Sequence, residues 1–348
     1  MKRKTFIIFT ILIPIMLYAT EPPALRTVTD MAGRQITIPD TVDRIVCLGR
    51  GALRLVTYLN AADRVVGVEF PEKKKAPDTR PYLLAFPFLS EKPYIGYAAQ
   101  GDPELIMGVG PRVIIYADPA PQAMEVLQAK TGIPVLCIKP GDLGENRDSF
   151  FSSLDLLAQV LDKQPRCDSL KTGINALITE TTEIASSVPD TVSVYIGGLI
   201  FKGRHGLCST QAQYTPFQLL DLHNVAGDLT GNHNNPVQIN PEQLLLWDPD
   251  LIFIDKACAN MVSKDLTQFP FLREFQYYEI YPNRQYGENF ETTLVNTFYI
   301  ANQVTDMDFK EFVSRADQIY NLFFNNMNVW PKIRDMYGLP GKYMNAEK

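Results

Sequence analysis

Two stretches of the chain repeat one pattern of apolar and polar positions. Residues 102–116 read DPELIMGVGPRVIIY, residues 240–254 read NPEQLLLWDPDLIFI, and the two align without a gap. In each copy, Asp or Asn followed by Pro predicts the start of a short helix, and a second Pro predicts its end. The apolar runs that follow do not alternate, so they predict strands buried on both faces of a parallel sheet.

Similar patterns predict further elements between and around the two copies. They are a hairpin at 27–38, strands at 44–48, 65–68, 133–138, 192–196 and 279–281, and helices from 51 to about 60, at 121–131, 215–222, 290–304 and 308–326. Strands that alternate with helices are typical of βαβ units. One copy of the repeat in each half therefore predicts an α/β protein with two lobes of similar design.

Residues 148–187 form the longest stretch of helical period, and Pro165 separates its two apolar stripes. This stretch lies between the two copies of the repeat, so we expect it to connect a first lobe at 27–147 with a second lobe at 188–348. Helices bend only for identifiable causes. A helical connector therefore predicts small tilts of the lobes rather than wide closure.

The first twenty residues have the pattern of a secretory signal peptide. Lys2, Arg3 and Lys4 precede an apolar run at 6–17, and Ala19 offers a small residue for cleavage. The run is short for a membrane span, although an uncleaved anchor is the alternative. No Cys follows it, so we expect export to the periplasm without a lipid anchor.

Composition narrows the class of partner. The chain has 348 residues, 46% of them hydrophobic, and a net charge of −6. This length suffices for two domains with their own cores, and the acidic balance argues against nucleic acid. The five cysteines are scattered without a CxxC motif, which indicates neither a zinc site nor a disulfide framework.

The order of motifs resembles one family, the periplasmic substrate-binding proteins of ABC importers for ferric siderophores, cobalamin and related metal chelates, of the class with a helical backbone. The motifs span residues 27–338 and are TVTDMAGRQITIP, DRIVCLG, LNAADRVVGVE, YIG, the two repeat copies, GGLIFKGRHG and FETTLVNTFYIANQV. The resemblance implies two Rossmann-like lobes with mostly parallel sheets, joined by one long α-helix. It also implies a ligand between the lobes and delivery to a permease dimer in the inner membrane.

In that family a Glu on each lobe pairs with Arg residues of the permease. The resemblance assigns this role to Glu104 and Glu242, which hold equivalent positions in the two repeat copies. Each lies near a predicted helix start, where the helix dipole favours a carboxylate. The alternative is that both only complete those helix starts.

Ligands of doubly wound sheets bind beyond the carboxyl ends of the strands. The segment FKGRHG follows such a strand and brings together Lys202, Arg204 and His205, and Arg50 of the first lobe would face it across the groove. Arg and Lys suit anionic oxygens, and His205 could complete the coordination of a metal. The alternatives to ligand contact are that Arg50 only forms an ion pair with a nearby acid and that residues 204–205 form an ordinary polar turn.

Four tyrosines in the same set of loops could add ring faces and hydroxyl groups to the ligand site. They are Tyr97, Tyr116, Tyr214 and Tyr286. Aromatic residues suit ligands that are partly apolar, because the ring packs while the hydroxyl bonds. Packing within the lobes is the alternative for each of them.

These features predict a monomeric binding protein, with no cofactor of its own, that captures a ferric siderophore. Nickel or cobalt as a histidine complex, molybdate or tungstate, haem and cobalamin stay open as ligands. A secreted enzyme is the remote alternative, since no GxSxG, HExxH, P-loop or GxGxxG motif stands in a fitting context.

Overall fold

The structure is a computed structural model that describes residues 24–73, 80–201, 203–230 and 235–343. The predicted signal peptide at 1–20 and Lys202 lie outside these ranges. The strands are β1 Leu25–Thr29, β2 Gln35–Pro39, β3 Ile45–Leu48, β4 Val65–Gly67, β5 Val113–Ala117, β6 Val135–Ile138, β7 Ser193–Gly197, β8 Ser209–Thr210, β9 His223–Asn224, β10 Val237–Gln238, β11 Leu251–Asp255 and β12 Tyr277–Ile280.

The α-helices occupy most of the chain between these strands. They are α1 Ala52–Tyr58, α2 Phe70–Lys73, α3 Pro81–Ala85, α4 Pro103–Val109, α5 Pro121–Thr131, α6 Arg147–Leu161, α7 Gln164–Ala185, α8 Thr215–Leu219, α9 Pro241–Trp247, α10 Ala259–Gln268, α11 Phe290–Val304, α12 Phe309–Phe324 and α13 Val329–Tyr337. Among the described residues, no helix is long and apolar enough to cross a membrane.

The two lobes are built on sheets of the same design. The first has the order β4-β3-β5-β6 and the second the order β9-β7-β11-β12, and every pair within them is parallel. The central strands β5 and β11 are the strands of the sequence repeat, and both are almost entirely buried. The prediction of two similar α/β lobes is confirmed.

The helices of the repeat, α4 and α9, begin at the predicted Pro residues. Asp102 caps α4 by accepting hydrogen bonds from the backbone N–H groups of Glu104 and Leu105, at 2.9 and 3.1 Å. Asn240 precedes α9 without a side-chain capping bond, so its predicted capping role is wrong. Both helices end in the left-handed conformation, at Gly110 and Asp248.

The connecting stretch consists of two helices, α6 and the 22-residue α7. They separate at Asp162, which has a φ of +50°. Pro165 lies in the first turn of α7, where its missing N–H costs no helical hydrogen bond. Helix α6 packs on α1 of the first lobe, and α7 packs on α8, α11 and α12 of the second.

One hydrophobic core runs through both lobes and the helices between them. Phe150 of α6 and Phe290 of α11 stack within it, with ring centroids 4.2 Å apart. Smaller clusters cover the other face of each sheet. A shared core of this kind favours small adjustments between the lobes, because packed interiors resist deformation.

All five cysteines are free thiols. Cys47, Cys137, Cys167 and Cys258 are buried, and Cys208 is half-buried. Burial, together with the nearby carboxylates of Asp265 and Glu242, raises the pKa of Cys208 to about 11.

Candidate functional site

A cavity of about 650 Å³ lies between the two lobes. It sits beyond the carboxyl ends of the parallel strands, as the rule for doubly wound sheets requires. Its lining is Arg50, Gly51, Arg54, Pro71, Asp118, Lys139, Pro140, Gly141, Asp142, Asn146, Ser149, Ile200, Phe201, Gly203, Asn235, Arg284, Gln285, Tyr286, Gly287, Glu288 and Phe290. Both lobes and α6 therefore contribute walls to one cavity.

Arg50 presents a guanidinium group to this cavity from the loop after β3. The loop needs glycine at Gly49, because a Cβ there would lie 2.6 Å from the carbonyl oxygen of Ala117. Its φ of +85° also favours glycine. The Arg50 side chain is exposed and makes no hydrogen bond or ion pair within the described part of the chain. Its donors are thus available to an anionic ligand.

Arg54 and Lys139 extend the positive lining. Arg54 is buried in the cavity wall, where its guanidinium carbon lies 4.9 Å from the ring centroid of Tyr82. Its Nη2 donates a 2.9 Å hydrogen bond to the carbonyl oxygen of Gln285. Lys139 follows β6 and is exposed. Burial raises the pKa of Asp118, and the charge of Lys139 opposes that rise.

Carboxylates complete the lining, so the cavity is not uniformly positive. Burial raises the pKa of Glu288, whereas the charge of Arg284 and a 2.7 Å hydrogen bond from the Thr293 hydroxyl lower it. Asp142 accepts hydrogen bonds from the N–H groups of Gly144 and Asn146, at 2.8 and 3.0 Å. The Asp142 carboxylate is thus occupied by hydrogen bonds within its own loop.

Of the predicted ligand contacts, Arg50 and Tyr286 line the cavity. Tyr97 is 62% exposed and stacks on Phe70 outside it, with centroids 5.5 Å apart. Tyr116 is buried, and its hydroxyl donates a 2.5 Å hydrogen bond to the carbonyl oxygen of Ala99. The Tyr116 ring packs in a hydrophobic cluster on one face of the first sheet, with Leu48 and Ile114, and does not line the cavity.

The predicted contacts of the second lobe are also placed differently. Tyr214 is buried and packs edge-on against Phe217, with centroids 5.0 Å apart. Arg204 is exposed and does not line the cavity, although Gly203 does. His205 Nε2 lies 2.6 Å from the carbonyl oxygen of Phe201, which occupies that ring nitrogen.

The described residues contain no group of three or more His, Cys, Asp and Glu side chains placed to hold a metal ion.

Sequence reasoning missed Arg54 and Lys139, which line the cavity, and Glu69, which accepts a hydrogen bond from the Tyr286 hydroxyl. Lys139 could have been found, because it follows β6, a parallel strand whose carboxyl end reaches the same edge as β3 and β5. Arg54 stands in an apolar helix, and Glu69 precedes a charged stretch. Neither position carries a local signal for a cavity between lobes.

Glu104 and Glu242 are exposed on α4 and α9, one on each lobe. Met107 and Leu245 follow them by three residues and are exposed as well. Residues three apart on a helix are neighbours on its surface. Each lobe thus presents one carboxylate beside one apolar side chain.

Comparison with known proteins places this architecture among binding proteins. A model of the family described as periplasmic binding protein matches residues 45–269. The molybdate-binding protein MolA of Haemophilus influenzae is 24% identical over 289 residues, which cover 76% of this chain and 78% of that protein.

Solved structures show the same fold. A periplasmic solute-binding protein of Veillonella parvula has a TM-score of 0.69 at 17% identity, covering 90% of this chain and 97% of that one. MolA bound to molybdate, from a Haemophilus influenzae ABC transporter, has a TM-score of 0.62 at 19% identity, covering 86% and 98%.

Proposed function

This chain belongs to the periplasmic binding protein family, and we propose that it captures an anionic metal chelate between its lobes for delivery to a membrane permease. Proteins of this family bind solutes for ABC importers and are not enzymes. The observation that carries the choice of ligand is the unpaired guanidinium of Arg50 in the cavity. Arg offers a rigid fork of donors that matches anionic oxygens.

The volume and composition of the cavity favour a chelate such as a ferric siderophore. A volume of about 650 Å³ lies within the range of roughly 300–1,000 Å³ typical of small-molecule sites. Phe201, Tyr286 and Phe290 add aromatic surface, and the wall contains both carboxylates and cations. A large ligand with both apolar and oxygen-rich parts suits such a lining.

A metal oxyanion is the second candidate. It is favoured by the similarity to MolA, which binds molybdate. Arg50 and Lys139 could together hold such an anion in one part of the cavity. An oxyanion would leave much of the remaining volume to water or would require the lobes to move closer.

Delivery is proposed to use the outer surfaces of α4 and α9. Glu104 and Glu242 supply the charges, and Met107 and Leu245 supply exposed apolar contacts beside them. The two surfaces repeat one design, which suits a permease with two equivalent subunits. We propose export to the periplasm by residues 1–20, as the family's location implies.

The test is a fluorescence titration of the exported protein with defined probes. These are a ferric catecholate, a ferric hydroxamate, haemin, cyanocobalamin, nickel with histidine, molybdate and tungstate. Saturable quenching by a ferric chelate, and not by its iron-free form, is the expected result. Binding of molybdate and tungstate alone would overturn the chelate in favour of the oxyanion. Binding of none of the probes would overturn both.

The variant Arg50→Ala should weaken whichever anionic probe binds. Arg112→Ala is the matched control, because Arg112 pairs with Asp43 at the opposite end of the first sheet, with Nε 2.7 Å from Oδ1. Equal losses in both variants would show that Arg50 is not a ligand contact.

A further inference from the structure

Residues 285–287 of the second lobe contact the first lobe at the edge of the cavity. Arg54 Nη2 donates a hydrogen bond to the Gln285 carbonyl oxygen. Gly287 has a φ of +104°, and a Cβ there would lie 2.7 Å from Arg54 Nη1 and 3.0 Å from the backbone nitrogen of Gly51. The backbone of this segment therefore lies directly against the first lobe.

Tyr286 adds a side-chain connection between the lobes. Its hydroxyl donates a 2.6 Å hydrogen bond to Glu69 Oε2 and accepts one of 3.0 Å from the Ala99 N–H. Glu69 also accepts from the N–H groups of Gly49 and Ala99, at 2.9 and 2.6 Å. We call the contact of Tyr286 with Glu69 and Ala99 the Glu69–Tyr286 latch.

The backbone of the latch is held in an uncommon conformation on both sides. Tyr286 has a φ of +53° and Ala99 a φ of +56°. Residues other than glycine rarely adopt this region, because Cβ crowds the following carbonyl oxygen. Such conformations persist where the surrounding contacts determine them, and they concentrate at functional sites.

We propose that Glu69 is a positioning residue that fixes Tyr286 as a wall of the cavity and pins the two lobes together along this edge before any ligand binds. The effect of Tyr286 positioning on ligand binding rests on the proposed function, whereas the contact between the lobes does not.

Glu69 holds the latch through both of its carboxyl oxygens. Oε2 accepts from the Gly49 N–H and the Tyr286 hydroxyl, and Oε1 accepts from the Ala99 N–H. The titratable groups facing Glu69 are the Tyr286 hydroxyl, Glu72, Tyr116 and Cys47. Burial raises the pKa of Glu69 to about 7, while its hydrogen bonds lower it. Because burial raises this pKa, the closed latch binds a proton more tightly than an exposed Glu69 would, so raising the pH through about 7 should favour opening of the latch.

Hydrogen–deuterium exchange of the full ligand-free chain tests the proposal. Tyr286→Phe removes only the hydroxyl, and Glu69→Gln removes the charge at nearly constant shape. Both should raise exchange at 97–101 and 284–288 by about tenfold or more. The double variant should exchange no faster than the faster single one, because both remove one interaction. Tyr278→Phe is the control. Within the described part of the chain, the Tyr278 hydroxyl donates a 3.4 Å hydrogen bond to Gln276 Oε1 of its own lobe.

The pH profile separates positioning from packing. After correction for intrinsic exchange rates, the parent protein should lose protection at both segments as the pH rises from about 6 to about 8, whereas Glu69→Gln, which has no carboxyl group to titrate, should show no such profile. Unchanged exchange in Tyr286→Phe, or additive effects in the double variant, would overturn the latch. Failure of molybdate and all the ferric chelates to bind, with the exchange pattern intact, would overturn the proposed function and leave the latch standing.

Discussion

Met107 and Leu245 occupy the same position in the two copies of the helix–strand repeat, and their side chains are exposed to nearly the same extent, 45% and 44%. Each follows an exposed glutamate by three residues on the same helix. Local helix stability does not require a large apolar side chain in water. The pair therefore supports a contact with a partner that presents two equivalent surfaces.

Replacing Glu104 and Glu242 together by Ala should abolish transport and leave ligand affinity unchanged, because both lie outside the cavity lining. Met107→Ser with Leu245→Ser should weaken transport in the same way. Uptake by cells or vesicles carrying the permease measures the first property, and titration measures the second. Glu125→Ala, on the exposed face of α5, is the control. A loss of affinity in the double Glu variant would contradict docking.

Arg50→Ala should reduce affinity for an anionic probe by about 1.5–3 kcal/mol, the usual value of a hydrogen bond to a charged group. Calorimetric titration beside the parent protein and Arg112→Ala gives the difference. The loss should shrink as salt concentration rises, because screening weakens the attraction of an exposed charge. A salt-independent loss would point to a change of shape instead.

Arg204→Ala should change affinity by less than about 0.5 kcal/mol, as is usual for surface positions. The sequence favoured Arg204 as a ligand contact, whereas the structure places it on the surface beside the cavity. Titrating it in parallel with Arg50→Ala compares two arginines of similar exposure. A loss as large as that of Arg50→Ala would restore the prediction from the sequence.

Gly287→Ala should destabilise the fold more than Gly33→Ala. Both glycines have a positive φ, but nothing lies within 4 Å of a Cβ at Gly33, whereas Arg54 and Gly51 would be contacted at Gly287. Strain alone costs roughly 1–2 kcal/mol, and we expect overpacking at Gly287 to add about 1–3 kcal/mol. Urea unfolding of the two variants measures the difference. Equal losses would show that segment 285–287 yields easily.

The free energy of unfolding should fall as pH rises from about 4.5 to about 7. Burial raises the pKa of Glu69, Asp255 and Glu291 to about 7, above the ordinary 4.5 for Glu and 3.8 for Asp. Between these limits the native state binds more protons than the unfolded state, so raising the pH favours unfolding. Glu291→Gln should lower proton uptake on folding by about one proton. Urea unfolding of the parent protein and of Glu291→Gln at several pH values measures this difference. An equal dependence on pH in the two proteins would show that Glu291 is already ionised in the native state.

Much of the fold follows from local patterns. The repeat predicted α4, β5, α9 and β11, because a Pro-initiated helix and an unbroken apolar strand each leave a clear signal. The hairpin β1–β2 was predicted from two alternating segments on either side of a turn, and the long helices α11 and α12 were predicted as well. The break between α6 and α7 was placed three residues late, since Pro165 is tolerated within the first turn of a helix.

The candidate site was less predictable, because its wall is assembled from distant segments. Arg54 and Glu69 gain their significance from residues 285–287, more than 200 positions away. The rule for parallel sheets located the right loops, which is why Arg50 and Tyr286 were found. It does not specify which side chain of a loop turns inward, so Tyr116 and Tyr214 were included although the lobes bury them.

The burial of the free thiols bears on how the protein would resist oxidation after the proposed export. In an oxidising compartment, the thiolate form of a cysteine is the form that reacts, and the thiol form is not. Burial raises the pKa of Cys208, Cys137 and Cys258 to about 11 and that of Cys167 to about 12, and raises that of Cys47 as well. At neutral pH only about one thiol in ten thousand would be ionised at such values. We therefore expect an odd number of cysteines to cause little crosslinking between copies of the protein, because burial disfavours the reactive thiolate.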